Sequence, residues 1–163
     1  MYKDLQPTIP TTRRTEINEK ILFCIDTHNT AITPEIAYDC YTGVGGLHDL
    51  SFNDYSNFHN YTEAKKEFEM GQFFTPHTIC RMMVKMVSPT PSDRVADFCC
   101  DMSNFFNWLP AGTYAYGAEL DSKAAKVAQF LYPDAKIECQ DIVFASPEGK
   151  FDIVFGNPPF NLK

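Results

Sequence analysis

The sequence holds six cysteines but no Cys-x-x-Cys, and its four histidines form neither a His-Glu-x-x-His nor a paired-ligand spacing. Those spacings bring thiolates and imidazoles to one metal ion, so no metal site is expected. Basic runs are missing as well: Arg13-Arg14 and Lys65-Lys66 are isolated pairs in a chain of net charge −7. Phosphate contacts supply most nonspecific affinity for DNA, so a chain this acidic is not expected to grip DNA alone. No apolar stretch reaches the length of a bilayer and no leader-like segment opens the chain, which points to a cytoplasmic protein without membrane contact. There is no nucleophile-base triad, no internal repeat and no low-complexity tract.

What is present is enough for one core. With 44% hydrophobic residues in 163, the natural count is one domain carrying a helical N-terminal extension. Residues 1–14, poor in apolar side chains, read as an extended arm. Residues 16–23 and 34–41 read as short amphipathic helices and 62–70 as a charged one, with a glycine-rich loop at 41–47 and a polar loop at 51–61. Ile79, Met82, Met83 and Met86 recur at helical spacing, so a helix opened by Pro76 or His77 is expected to bury that stripe in the core. Cys99-Cys100, between a strand and a loop, reads as a pair of reduced, packed thiols.

The run Phe151-Asp152-Ile153-Val154-Phe155-Gly156-Asn157-Pro158-Pro159-Phe160 carries the most chemistry. Each proline fixes its own φ near −65° and pushes the residue before it toward extended geometry, which holds the local carbonyls in place. The Asn157 side-chain oxygen and the Pro158 carbonyl can both accept from one planar NH2, while Phe160 offers a face for stacking. A flipped-out adenine fits such a site. The competing reading is a turn after a buried strand.

These residues resemble the DNA adenine-N6 methyltransferases, the N-6 DNA methylase family, and the likeness runs in family order along more than half the chain. Gly71-Gln72-Phe73-Phe74-Thr75-Pro76 resembles the segment that contacts the methionine part of S-adenosyl-L-methionine in that family. Asp97-Phe98-Cys99-Cys100-Asp101-Met102-Ser103-Asn104-Phe105 resembles its first strand end and cofactor loop, normally Asp-Pro-x-Cys-Gly-x-Gly-Asn-Phe. Asp97, Cys100, Asn104 and Phe105 match, whereas Phe98 stands for the proline, Asp101 for the first glycine and Ser103 for the second. Those glycines normally allow positive φ and close approach of the ligand. Asp tolerates left-handed geometry better than most residues, so the turn is expected to survive while cofactor affinity falls.

The resemblance assigns further roles. Residues 114–119 read as a second strand ending in Glu119, about 20 residues beyond Asp97, where a carboxylate can accept both ribose hydroxyls; a solvated strand-end acid is the alternative. Asp121 or Ser122 then caps a helix through Leu131, with Ala124, Val127, Ala128 and Leu131 inward, and Lys136–Cys139 makes a third strand. Asp141 is implied to accept from the cofactor adenine and Ile142 to pack on its ring, unless Asp141 is only a turn residue. Residues 151–155 form the last strand.

The resulting expectation is an α/β, Rossmann-like S-adenosylmethionine-dependent methyltransferase fold in which residues 71–163 form the first half of the sheet, strand order 3-2-1-4, behind an N-terminal part of residues 1–70. The implied cofactor site is Phe73, Phe74, Thr75, Asp97, Glu119, Asp141 and Ile142. The implied catalytic site is Asn157, Pro158, Pro159 and Phe160. The chain stops just after that motif, so it reads as a truncated catalytic core with an open sheet edge for a partner to cover, its grip on DNA lying elsewhere, in a bacterial or phage-infected cell. Two other readings stay open: a related methyltransferase acting on RNA or a protein glutamine, and a non-catalytic remnant or interaction module keeping the fold.

Overall fold

In the computed structural model, which describes residues 11–41, 56–60, 74–144 and 147–158, the described residues fall into two units, one ending at Phe74 and one beginning at Thr75. The first unit carries α1 (Thr11–Asp26) and α2 (Pro34–Cys40). Thr33 starts α2 by accepting from the Ile36 amide at 3.3 Å, with Pro34 behind it where a missing N–H does no harm. The helix α1 begins at Thr11 and not at residue 16, so the expected arm is shorter. Arg13, Arg14, Glu16 and Glu19 are good helix formers, and they outweigh the scarcity of apolar residues there. Residues 58–60, expected as loop, make a helical turn capped by Asn57, whose side chain accepts from the Asn60 amide at 2.9 Å. The glycine-rich loop and the helix expected at 62–70 lie outside the described residues.

The second unit is the sheet and its helices. Helix α3 (His77–Val87) leads into β1 (Arg94–Asp97); β2 (Tyr114–Glu119), α4 (Ser122–Leu131), β3 (Lys136–Cys139) and β4 (Ile153–Phe155) follow. All neighbouring strands are parallel, in the order β3-β2-β1-β4, as the family resemblance implied. Asp97 lies opposite Gly117 and Phe155, and Glu119 opposite Cys139. Asp121 caps α4 by accepting from the Ala124 amide at 2.7 Å, and Ala124, Ala125, Val127, Ala128 and Leu131 are its buried face.

One sheet face packs Val95, Ala115, Ile137 and Phe155 against Cys80 and Val84 of α3, Ala128 of α4 and the loop residues Cys100, Phe105 and Phe106. Phe105 stacks on Phe155 at 5.1 Å between centroids, which anchors the loop after β1 to β4. The other face holds Ala96, Tyr116 and Ala118 under Phe98, Ile142 and Phe151.

Two expectations are corrected here. Ile79, Met82 and Met86 are exposed, at 40%, 50% and 77%, and the buried stripe of α3 is Cys80 and Val84 with Met83 beside it. The small side chains opposite, Val95 and Ala115, admit compact partners at close range and leave the long thioethers outside. With Thr78, Arg81 and Lys85 they line an open groove of about 450 Å³. Strand β4 begins at Ile153, not Phe151, because the Asp152 carboxylate takes the Arg94 amide at 2.8 Å and the Asp152 amide donates to the Arg94 carbonyl at 2.9 Å. That exchange stands in place of one step of the ladder.

Candidate functional site at the carboxyl ends of the strands

Parallel pairing puts the four carboxyl ends on one rim, so the sheet order sets the turn at Asp141, Glu119, Asp97 and the segment Gly156-Asn157-Pro158 along it, after β3, β2, β1 and β4 in turn. Asp97 is 2% exposed, and its Oδ1 accepts from the Cys99 amide at 3.1 Å, which turns the chain out of β1. Gly156 lies beside it, and a Cβ there would stand 3.5 Å from Asp97 Oδ1, in ordinary contact.

The loop after β1 keeps the left-handed backbone that glycines would supply. Asp101 has φ of 49° and Ser103 of 63°. Each costs on the order of 1 kcal/mol relative to glycine, so the surroundings must over-determine the turn. They do. The Cys100 amide donates to the Ala118 carbonyl at 3.0 Å, the Phe106 amide to Ser103 at 2.9 Å, and the Asp101 amide to Glu119 Oε2 at 2.8 Å. Glu119 Oε1 accepts from the Asp121 amide at 2.7 Å, and the Glu119 carbonyl from the Gln140 amide at 2.9 Å. One residue thus ties the loop, the α4 cap and the exit of β3.

Thr75 reaches the same loop. Its carbonyl accepts from Asn104 Nδ2 at 2.9 Å and from the Cys80 thiol at 3.6 Å. Asn104 is 7% exposed, and its Oδ1 has no hydrogen-bond partner among the described residues. Asp141 Oδ1 accepts from the Val143 amide at 2.9 Å, a turn that carries Ile142 onto the face of Ala96 and Tyr116. Asn157 is half-buried and Pro158 exposed. Phe74 stacks on Tyr41 within the first unit, at 6.0 Å. Phe73, Pro159 and Phe160 lie outside the described residues.

Burial pushes the Asp97 carboxyl up to about 7; the Cys99 amide opposes the rise and the nearby Glu119 charge adds to it. Asp101 is pushed up to about 8, again first by burial and then by the charges of Glu119, Asp97 and Asp121. Burial also raises the Cys99 and Cys100 thiols, which makes them poor nucleophiles. None of the six cysteines is in a disulfide. Among the described residues, no cluster of three or more His, Cys, Asp or Glu is placed to hold a metal, and no helix is long and apolar enough to cross a membrane.

Sequence reasoning missed Gly117. A Cβ there would meet Cys100 Sγ at 2.8 Å, so the loop sits directly on β2. A glycine inside a strand pattern was the available signal. The bond from Asp101 to Glu119 had none, because it joins two backbone elements 18 residues apart.

The family model described as N-6 DNA Methylase matches residues 53–163. A solved structure, the modification subunit assigned to a type I restriction enzyme from Vibrio vulnificus YJ016, is 18% identical with a TM-score of 0.47. The match covers 71% of this chain and 30% of that subunit, so this chain spans under a third of its length. No curated protein matches the chain.

Proposed function

The chain belongs to the N-6 DNA methylase family, and from that premise we propose that residues 71–163 are a cofactor-binding core for methyl transfer from S-adenosyl-L-methionine to the N6 amino group of adenine in DNA. The observation that carries this reading is the rim itself: Asp97, Glu119, Asp141 and Asn157 follow four successive parallel strands, beside a loop held at positive φ. The residues suit the cofactor. Each Glu119 oxygen accepts one amide and keeps a second lone pair for a ribose hydroxyl, and Asn104 Oδ1 is a buried acceptor in want of a donor. Asp141 and Ile142 take the cofactor adenine, and Phe73, Phe74 and Thr75 its methionine part.

When bound, the cofactor supplies an electrophilic methyl group on a sulfonium. The chain's own task is to hold the acceptor amine. Asn157 Oδ1 and the Pro158 carbonyl accept hydrogen bonds from its two N–H groups and set the nitrogen lone pair in line, with Pro159 fixing the backbone and Phe160 stacking on the base. The substrate is DNA gripped chiefly by another polypeptide segment or subunit. Strand β4 pairs with β1 and, among the described residues, with no other strand, which leaves its second edge for a partner. The setting is the cytoplasm of a bacterial or phage-infected cell.

Calorimetric titration with S-adenosyl-L-methionine tests the cofactor site, with micromolar binding expected. Asn157→Ala should abolish methyl transfer in a transfer-competent assembly while leaving cofactor affinity within about twofold. Equal loss of both would remove Asn157 from the base site.

A further inference from the structure

Tyr116, in β2, is 1% exposed on the sheet face that carries Ala96 and Ala118. Packing alone asks only for a phenylalanine there, as at Phe98 and Phe151, whose rings lie 6.3 and 5.4 Å from that of Tyr116. The hydroxyl is nevertheless fully used. Tyr116 lies opposite Lys136 and Ala118 opposite Glu138, so Lys136 and Glu138 of β3 share its face and lead from it toward the carboxyl rim. The hydroxyl donates to Glu138 Oε2 at 2.9 Å and accepts from Gln140 Nε2, and the same Nε2 gives its second hydrogen to Glu138 Oε2 at 2.7 Å. Three side chains close a triangle, and Lys136 holds one corner of it through Glu138 Oε1 at 3.1 Å.

The triangle bears on the turn that follows β3. Gln140 immediately precedes Asp141, and it is fixed at both ends: its amide donates to the Glu119 carbonyl at 2.9 Å while its side chain is tied to Tyr116 and Glu138. On the other side of Asp141, Ile142 packs on the cluster of Ala96, Tyr116 and Ala118. Asp141 therefore sits between two residues that both depend on Tyr116, one on its hydroxyl and one on the cluster its ring builds. Asp141 Oδ1 is spent on the Val143 amide at 2.9 Å, and among the described residues nothing donates to Oδ2.

We propose that Tyr116 is a positioning residue for the adenine end of the cofactor site: through Gln140 and Ile142 it holds the Asp141 carboxylate where it accepts from a 6-amino group, which makes the site select an adenine nucleoside over a 6-oxopurine one. The inference rests on the cofactor reading above and deepens it. A 6-amino group offers Asp141 a hydrogen, whereas a 6-oxo group sets a second oxygen against it. Such a mismatch is rejected only while the carboxylate cannot swing away from it, and the triangle is what prevents the swing.

The test is titration calorimetry with S-adenosyl-L-homocysteine and with its 6-oxo analogue, S-inosyl-L-homocysteine. It is run on the natural chain, on Tyr116→Phe, on Gln140→Leu and on the double variant, each checked for folding by thermal unfolding. Gln140 is only half-buried, so its variant reports even where the tyrosine replacement disturbs the sheet. The natural chain should prefer the adenosyl ligand by about tenfold or more. Each single variant should shrink the ratio of the two dissociation constants by about threefold to tenfold, and the double variant no further than either, because both substitutions cut the same set of contacts. A general loss of stability lowers both affinities together and leaves the ratio unmoved. If the folded single variants keep the natural ratio, the positioning role is overturned and the cofactor reading stands. If the natural chain binds both ligands without preference, there is no selection to hold and the inference is likewise overturned. If neither ligand binds the folded natural chain, the cofactor reading falls, and this inference with it.

Discussion

Asp101 and Asp97 hold protons that exposed carboxylates would have lost, and the sign of the consequence follows directly. A carboxyl whose folded pKa lies above its unfolded value contributes stability that is whole below the unfolded value and lost as pH rises to the folded one. For Asp101 that window runs from 3.8 to about 8. Asp101→Asn should therefore match the natural chain near pH 4 and become the more stable of the two by on the order of 2 kcal/mol near pH 8. Thermal unfolding across that range checks it; a gap of constant size would mean the buried charge is not what destabilises the loop. Gly117 acts by space alone. A methyl group placed 2.8 Å from Cys100 Sγ forces the loop off β2, so Gly117→Ala should destabilise by about 1–3 kcal/mol. The double variant with Cys100→Ala should recover most of that, as urea unfolding would show. Neither residue advertised its role: Asp101 was visible as a departure from a pattern, and only the fold revealed that its amide, not its carboxylate, is bound by Glu119.

Where an element's ends are marked by its own residues, the sequence and the fold agree to the residue. Strands β2 and β3 and helix α4 are such cases, bounded by the Asp121 cap and by Pro133. Helix α3 starts where Pro76 said it would, but its buried face was misjudged: counting apolar bulk favours Ile79, Met82 and Met86, while packing chose Cys80 and Val84. The start of β4 was hidden for a different reason. It depends on Arg94 and Asp152, 58 residues apart, and no local pattern records that pairing. Arg94 is the rivet of this end of the sheet. Its Nε donates to the Lys150 carbonyl at 3.0 Å and an Nη to the Glu148 carbonyl at 3.2 Å, while its guanidinium lies 4.1 Å from the Tyr114 ring centroid. Arg94→Ala should cost about 2 kcal/mol, and Arg94→Lys nearly as much, because one ammonium cannot reproduce the fork and the ring contact together. Hydrogen exchange should report it first at the Asp152 amide, which donates to Arg94; unchanged protection there would show that the segment is held by Phe151 packing instead.

For the molecule as a whole, charge decides what it can do unaided. The chain carries a net charge of −7 without a basic run. Such a charge balance repels phosphate, so cofactor binding and DNA binding are expected to separate experimentally. Family membership was legible because the Asn-Pro-Pro-Phe and Gln-Phe-Phe-Thr-Pro segments are short and contiguous. The means of gripping DNA was not, because that is a property of where positive charge lies in space, and no run of it exists here. In fluorescence anisotropy with a labelled duplex at about 150 mM salt, this chain alone should bind more weakly than about 10⁻⁴ M, the weak end of nonspecific protein–DNA affinity. Lowering the salt should bring little gain, since few phosphates are neutralised and few counterions are released. Micromolar binding with a steep salt dependence would contradict this directly, and would mean that Arg81, Lys85 and the other scattered basic residues converge on the backbone after all.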